Sequence, residues 1–234
     1  MIYAWINGER RQPREKGERA TCRGCGNDLH AVIPRENIRH WRHKNGDCDS
    51  WSEPEGEWHL WWKEQFPLEC REVPLRDPET GELHRADILC PRSSTEGIVL
   101  ELQQSSISEE ERSSREQFYM REHRMFWLLN VHDPKSFRAF SFGITLTFAN
   151  PIEHANRTFY QMDWMGNGKQ FIEKWKTSKA HVFLHYDGGI YYLATALACN
   201  ALLKGQKRGE FALARVSFDE FVAAVNGPAL SQRP

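Results

Sequence analysis

The chain lacks any long apolar run. No stretch of its 234 residues approaches the roughly 18–20 apolar residues that a membrane-spanning helix needs. Residues 1–5 are not a charged leader followed by a long apolar segment, so they do not resemble a signal peptide. We therefore expect no membrane association and a cytoplasmic location.

Net charge is also nearly absent, at −1, which argues against a protein that binds nucleic acid over its whole surface. The composition is globular, and nine tryptophans and thirteen phenylalanines predict a substantial core. The charges are uneven: 10 basic against 7 acidic residues over 1–50, 7 against 16 over 51–120, and 14 against 9 over 121–234. An acidic middle between basic flanks fits a metal site beside phosphate-contacting surfaces, although ordinary scatter of solvated charge would also produce it.

Internal repeats and low-complexity tracts are missing, and cysteines are few. Three of the six cluster in the first fifty residues, which suggests a metal site, and the other three are scattered, which suggests buried thiols. The scattered cysteines are Cys70, Cys90 and Cys199.

The cysteine cluster predicts a zinc site. Cys22 and Cys25 form a Cys-x2-Cys knuckle with glycines around it. His40, His43 and Cys48 follow, so all the candidate ligands lie within 27 residues. Zinc prefers four sulfur or nitrogen ligands in a tetrahedron. We prefer Cys22, Cys25, His43 and Cys48 over a Cys2His2 set that uses His40, because Cys48 otherwise has no role. A basic loop with incidental cysteines is the alternative.

Two strand-like apolar runs each carry one carboxylate. Asp87 precedes Ile88 and Leu89, and Glu101 follows Ile98–Leu100. Carboxylates inside such runs are costly to bury without a cation, so we expect them to converge on a divalent metal. A pair of strand carboxylates at a solvent edge is the alternative.

A helix is predicted over 54–66, beginning near Pro54. Glu55, His59 and Lys63 are spaced at i, i+4 and i+8, so they line one helical face. The three tryptophans of the helix, Trp58, Trp61 and Trp62, are predicted to pack in the core. Glu55, His59 and Lys63 either form a solvated face with an ion pair or supply a carboxylate or base to the metal centre.

Strands are predicted over 69–75, 83–90 and 97–103, and a turn over 77–82 separates the first two. Ser108 and Glu111 form a capping box that begins a helix to about 122, and residues 125–131 form a further strand. The resulting order is αβββαβ. Beyond it we predict a hairpin with a turn at Asn7-Gly8 near the N-terminus.

The C-terminal third is less readable. It is predicted to contain a strand-like alternation over 136–148, a helix over 168–177, a hairpin around 187–189 and a terminal helix over 218–225.

In these residues the chain resembles the competence protein CoiA-like family, a branch of the PD-(D/E)XK nuclease superfamily. The resemblance covers about residues 1–130. It rests on an ordered set of motifs: Cys22-x2-Cys25, His40-Trp41-Arg42-His43, Glu55-x3-His59-x3-Lys63, Arg85-Ala86-Asp87-Ile88, Leu100-Glu101-Leu102-Gln103-x-Ser105-x-Ile107-Ser108 and Arg115-x3-Tyr119.

The resemblance implies a Mg²⁺- or Mn²⁺-dependent deoxyribonuclease, an endonuclease by preference, whose metal is held by Asp87 and Glu101. It implies Glu55 as a third acidic group that binds the metal directly or through water. Gln103 stands where the superfamily usually has lysine; it can orient the attacking water but carries no charge. Lys63 is our candidate for the missing positive charge, and His59 for a base.

The predicted fold class is α/β, with a PD-(D/E)XK restriction-endonuclease-like core and a small N-terminal zinc module. Residues 1–50 would form the strand hairpin and zinc module, 51–132 the nuclease core, and 133–234 an extension that packs on the core. The extension has no motif of its own, and substrate shaping or self-association as a homodimer stay open for it.

DNA is the expected partner, in DNA processing, uptake, recombination or defence against foreign DNA. The basic zinc module is the expected contact surface, and the candidates are Arg39, Arg42, Lys44, Arg115 and Tyr119. Two other functions remain open at this point. One is a catalytically inactive nucleic-acid-binding protein on a nuclease-like scaffold, and the other is an adaptor in which zinc only stabilises the fold.

Overall fold

The computed structural model describes residues 1–52, 55–91, 97–131, 137–166, 168–196, 202 and 205–226. The chain divides into two compact units, the N-terminal unit (residues 1–89) and the C-terminal unit (residues 90–234). The described residues combine strands with helices in both units, so the predicted mixed α/β class is confirmed. Among the described residues no helix is long and apolar enough to cross a membrane.

The described residues of the N-terminal unit form seven strands and one α-helix. They are β1 (Ala4–Ile6), β2 (Glu9–Arg11), β3 (Arg19–Thr21), β4 (Asp28–Val32), β5 (His40–His43), α1 (Glu57–Glu64), β6 (Arg71–Arg76) and β7 (Leu83–Cys90). A short 3-10 turn spans Leu68–Cys70.

The first five strands form one antiparallel sheet in the order β2-β1-β3-β4-β5. The predicted turn at Asn7-Gly8 joins β1 to β2, and both residues have positive φ, 49° and 84°, as tight hairpin turns require. The sheet packs on a small buried cluster of Ala4, Cys22, Leu29 and Trp41. Because so small a core buries little apolar area, burial alone contributes little stability, and a bound metal would add to it.

Strands β6 and β7 form an antiparallel hairpin closed by the predicted turn at Asp77–Glu82. Along β7 burial alternates with period two: His84, Ala86 and Ile88 face the interior, whereas Arg85 and Asp87 lie together on the other face. Cys70 and Cys90 are buried, as predicted; Cys199 lies outside the described residues.

In the described part of the C-terminal unit, seven strands alternate with helices. They are β8 (Ile98–Gln103), α2 (Glu109–Tyr119), β9 (Arg124–Asn130), α3 (Phe137–Thr145), β10 (Pro151–His154), β11 (Arg157–Asp163), α4 (Gly168–Lys176), β12 (His181–Tyr186), β13 (Gly189–Leu193), β14 (Glu210–Val216) and α5 (Phe218–Asn226).

Its strands lie in the order β10-β11-β14-β13-β12-β9-β8. The pairs β8–β9 and β9–β12 are parallel and the others are antiparallel. Every residue of β8 is buried, which is typical of a parallel strand covered on both faces. The Ser108 Oγ accepts from the backbone N–H of Glu111 at 3.0 Å, so the predicted N-cap is confirmed.

One predicted strand is wrong. The described part of residues 136–148 contains a helix, α3, where the alternating phenylalanines predicted a strand. The same residues also carry helical spacing, since Phe137, Phe140 and Ile144 stand at i, i+3 and i+7. Phe142 is fully buried against Trp164 and Tyr186, so packing selects the helix.

The predicted helix over 54–66 is shorter than expected, because α1 spans only Glu57–Glu64. Pro54 lies outside the described residues, and Glu55 precedes the helix instead of belonging to it. Trp62 is buried as predicted, but Trp61 is 47% exposed and is not a core residue.

Candidate functional site

Four side chains of the N-terminal unit converge as a Cys3His group. The ligand atoms of Cys22, Cys25, His43 and Cys48 all lie within 4.8 Å of one another. The knuckle turn brings the first two together: Gly26 N–H donates to the Cys22 carbonyl at 2.8 Å, and Gly26 has φ +78°. His43 ends strand β5, and Cys48 lies in the loop after it.

The spacing of these atoms fits zinc. A tetrahedron with Zn–S bonds of about 2.3 Å has edges of about 3.8 Å, slightly shorter where nitrogen replaces sulfur. The Cys22 and Cys48 Sγ atoms are 3.9 Å apart, and Cys25 Sγ is 3.5 Å from His43 Nε2. The donor set and the spacing therefore suit a structural zinc ion.

The protonation of the group also suits a cation. Burial, together with the neighbouring thiols Cys22 and Cys25, raises the pKa of Cys48, so a nearby positive charge is needed to stabilise the thiolate. Burial lowers the pKa of His43 and favours the neutral imidazole that binds metal. Its Nδ1 lies 3.5 Å from Asp47 Oδ1, in the position of a carboxylate that orients a ligating histidine.

His40, the alternative ligand, is not part of the group. Its Nδ1 is 3.0 Å from the Ile38 carbonyl oxygen, and it begins strand β5 where His43 ends it. Of the two ligand sets that the sequence allows, the structure brings together the one with three cysteines.

A second polar cluster of the N-terminal unit is centred on the buried ammonium of Lys63. Its Nζ contacts three carboxylates, at 2.6 Å from Glu55 Oε2, 2.9 Å from Asp87 Oδ1 and 3.3 Å from Glu72 Oε1. We call these four residues the Lys63 cluster. Glu55 precedes α1, so its contact with Lys63 arises from the way the chain bends into the helix and not from the i, i+8 spacing of a helix.

Glu72 was missed by sequence reasoning. Its carboxylate accepts from the backbone N–H of Ile2 at 2.7 Å and of Tyr3 at 2.8 Å, in addition to its contact with Lys63. Its backbone has φ +48°, a conformation that a non-glycine residue adopts only when its surroundings hold it there. Arg71-Glu72-Val73 has the sequence of an ordinary strand segment, and nothing in it marks Glu72 as the buried residue.

Opposing effects set the charges of the Lys63 cluster. Burial favours the neutral amine, but the carboxylates of Asp87, Glu55 and Glu72 outweigh it and raise the pKa of Lys63. Burial likewise opposes the ionised form of Glu72, yet Lys63 holds the pKa of Glu72 below its usual range. Burial raises the pKa of Glu55 to about 7, against the opposing effect of Lys63. The cluster thus holds an ammonium beside an ionised Glu72, and Glu55 titrates near neutral pH.

Arg85, which lies beside Asp87 on the face of β7, is the second missed residue. Burial disfavours its charge, but Glu72, Asp47 and Asp49 outweigh this and raise the pKa of the guanidinium. His59, the candidate base, lies on α1 with its ring buried.

In the C-terminal unit, Glu101 is buried on β8, and Arg115 Nη1 lies 3.3 Å from its Oε2. Arg115 also pairs with Glu111 at 2.5 Å. The Gln103 amide donates to the Ser105 carbonyl at 3.1 Å, which fixes the side chain near the end of the strand. Asp87 belongs to one unit and Glu101 to the other, and their joint role stays a prediction.

The predicted nucleic-acid contacts fall into two groups. Arg39, Arg42 and Lys44 are exposed around β5 in the N-terminal unit. Arg115 and Tyr119 are buried on α2, and Arg115 is engaged by two acids. Their assignment to nucleic acid stays a prediction.

Residues 80–185 match the family model described as competence protein CoiA, nuclease-like domain. No match to the chain was found among curated proteins or among solved structures. The matched stretch contains Asp87, Glu101 and Gln103 and extends well past residue 130, to which the sequence resemblance reached. The match confirms the resemblance to the CoiA-like family over residues 80–185.

Proposed function

We propose that this protein is a metal-dependent nuclease that hydrolyses phosphodiester bonds of DNA. The observation that carries the proposal is the match of residues 80–185 to a nuclease-like domain, because that stretch contains the acidic motifs Asp87 and Glu101-x-Gln103. The PD-(D/E)XK core is the proposed scaffold. The element order α1-β6-β7-β8-α2-β9 supports it, because it follows the αβββαβ pattern.

Asp87 and Glu101 are the proposed ligands of Mg²⁺ or Mn²⁺. When bound, such a metal lowers the pKa of a water molecule and stabilises negative charge on the phosphate oxygens. Both side chains lie beside cations, Lys63 and Arg115 respectively, which favour the ionised carboxylates that hard metals bind.

Lys63 is proposed to supply the positive charge that the glutamine at position 103 cannot supply. Its ammonium is 2.9 Å from Asp87 Oδ1, which supports a place beside the metal-binding carboxylate. Glu55 shares the same ammonium at 2.6 Å and is the proposed third acid. His59 is the proposed base, and the Gln103 amide the proposed anchor for the attacking water.

The exposed Arg39, Arg42 and Lys44 are proposed to contact DNA phosphates. Each such contact releases counterions, so binding should weaken steeply as salt rises. An affinity that barely changes between low and moderate salt would remove this assignment.

The test is cleavage of circular single-stranded and supercoiled duplex DNA with magnesium, manganese or EDTA. We expect metal-dependent cutting that falls by about 1000-fold or more in Asp87→Asn/Glu101→Gln, because loss of both ligands removes the metal's charge stabilisation. The matched control is Asp28→Asn/Glu109→Gln, which makes the same charge change at exposed positions, one in each unit. Cutting at the control rate by the Asp87/Glu101 variant would show that the site assignment is wrong.

A further inference from the structure

The loop that carries the zinc ligand Cys48 also holds strand β7. The acid directly after this cysteine, Asp49, is buried, and both of its oxygens contact β7. Oδ2 accepts from the backbone N–H of Arg85 at 2.9 Å, and Oδ1 lies 2.8 Å from His84 Nδ1. One side chain of the loop therefore binds two successive residues of the strand.

The acid directly before Cys48 provides a second link. Asp47 Oδ1 lies 3.5 Å from the Nδ1 of the zinc ligand His43 and 3.7 Å from Arg85 Nη1. The two acids that flank one ligand of the zinc group therefore both reach Arg85, one through its guanidinium and the other through its backbone.

The loop is itself held against the strand. Trp51 stacks on the ring of His84, with centroids 3.1 Å apart and an interplanar angle of 8°. The backbone N–H of Trp51 donates to Asp49 Oδ1 at 3.0 Å, which fixes the carboxylate that binds β7.

At Arg85 the backbone of β7 is anchored by the loop, because its N–H donates to Asp49 Oδ2 at 2.9 Å. On the paired strand β6 the residue opposite Arg85 is Pro74, which lacks the N–H that a ladder bond to the Arg85 carbonyl would need. Two residues further on, and on the same face of β7, Asp87 contacts Lys63 at 2.9 Å. A shift of the strand at Arg85 would therefore move the Asp87 carboxylate relative to Lys63.

We propose that zinc at the Cys3His group positions Asp87, with Asp47 and Asp49 as the positioning residues. A bound zinc fixes Cys48 and His43, since Zn–S and Zn–N distances vary little. The loop that connects and follows these two ligands then holds β7, and with it Asp87, in place relative to Lys63. The consequence for cleavage rests on the proposed function, whereas the coupling between zinc and β7 does not.

The test is hydrogen exchange measured by mass spectrometry on the full chain, with zinc content determined in parallel. Removal of zinc by a chelator should speed exchange of peptides covering residues 84–88 by about tenfold or more, and returned zinc should reverse the change. Asp49→Asn replaces one of the two carboxylate oxygens by an NH2 group, so in the zinc-loaded variant the Arg85 N–H and the Trp51 N–H can no longer each have an oxygen of their own, and the hold of the loop on β7 weakens. The same peptides should exchange about tenfold faster while zinc content stays unchanged.

Asp28→Asn is the matched control, because Asp28 is exposed on β4 of the same sheet, and it should exchange like the wild type. Unchanged exchange over residues 84–88 in zinc-loaded Asp49→Asn would overturn the proposal. Because this variant keeps its zinc, the result can be interpreted even if chelation unfolds the whole N-terminal unit. Faster exchange over 22–48 alone after zinc removal would also overturn it.

Cleavage separates this inference from the proposed function. If wild-type protein cuts DNA, Asp49→Asn should lower kcat by about tenfold with zinc still bound, and an unchanged kcat would overturn the positioning of Asp87. If wild-type protein cuts no DNA, the proposed function fails, while the exchange measurements still confirm or overturn the coupling.

Discussion

The two units neutralise buried acids in opposite ways. In the C-terminal unit, one carboxylate, that of Glu116, receives many donors. Arg112 Nη1 donates at 2.9 Å, Ser178 Oγ at 2.7 Å and Trp127 Nε1 at 3.2 Å. In the N-terminal unit, one ammonium, that of Lys63, contacts three carboxylates.

The difference separates a structural anion from a site in which several acids share one cation. Glu116 has one guanidinium and several neutral donors, so its charge is balanced and it ties α2 to the segment before β12. In the Lys63 cluster three acids share one ammonium, although Arg85 and the N-terminal amino group also act on Glu72. Ionisation of all three acids around one ammonium is costly, and a divalent cation would favour it.

Removal of zinc should produce the largest effect and should fall on the N-terminal unit alone. The five-stranded sheet rests on four fully buried side chains, whereas the C-terminal unit has an extensive aromatic core. Structural zinc contributes apparent free energies of about 10–16 kcal/mol in isolated zinc-finger peptides. We expect chelation to lower the unfolding midpoint of the N-terminal unit by at least about 10 °C.

Thermal unfolding followed by circular dichroism, with exchange of residues 98–130 as the marker of the C-terminal unit, checks this. Zinc should restore the midpoint and magnesium should not, because the sulfur ligands select the softer metal. An unchanged midpoint in a zinc-free sample would contradict the structural role of the Cys3His group.

Lys63→Met should have the next largest effect. It leaves the buried Glu72 and the half-buried Glu55 and Asp87 without their shared ammonium, and breaking a buried ion pair costs about 3–5 kcal/mol. Lys176→Met is the matched control in the C-terminal unit: Lys176 is also buried, but it pairs with one half-exposed acid, Glu173, at 2.8 Å, which water can solvate. There we expect a loss of about 1 kcal/mol.

Urea unfolding of the two variants measures the difference directly. Equal losses would show that the number of acids around the lysine does not matter, and the comparison between the units would then fail.

Local sequence patterns were sufficient to predict those features that depend on neighbouring residues. The apolar run predicted a strand over residues 83–90, and β7 has the same bounds. The Ser108 cap and the Asp187-Gly188 hairpin were likewise confirmed, because caps and tight turns are set by a few adjacent residues. The Cys3His group was predicted because zinc requires a narrow range of ligand types.

What the sequence could not predict depends on distant residues. Glu72 reads as a strand residue, and its role arises from Lys63 nine positions away and from backbone donors about 70 positions away. Strands β3, β4 and β5 have few aliphatic residues, so their sequences give only a weak strand signal. In α3 two periodicities coexist, and only packing on Trp164 and Tyr186 decides between them.

The smallest predicted effect concerns His181 of the C-terminal unit and the pH dependence of stability. Burial, with Arg124 and Arg157 adding to it, lowers the pKa of His181 from 6.5 to about 4. Its Nε2 is 3.3 Å from Arg124 Nη2 and its Nδ1 is 2.7 Å from the Tyr192 hydroxyl, so the neutral ring can accept from the first and donate to the second.

Because the unfolded chain takes up this proton near pH 6.5 and the folded chain only near pH 4, stability is full above pH 6.5 and falls as the pH drops towards 4. We expect a loss of about 1–2 kcal/mol across this window, discounted for partial exposure. Urea unfolding at several pH values should give a flatter profile for His181→Gln, which keeps both hydrogen bonds without a titrating group. Arg124→Met should make the loss smaller and end it at a higher pH, because removing that charge raises the pKa of His181 towards its unfolded value. A wild-type slope unchanged in both variants would show that another group causes the acid dependence.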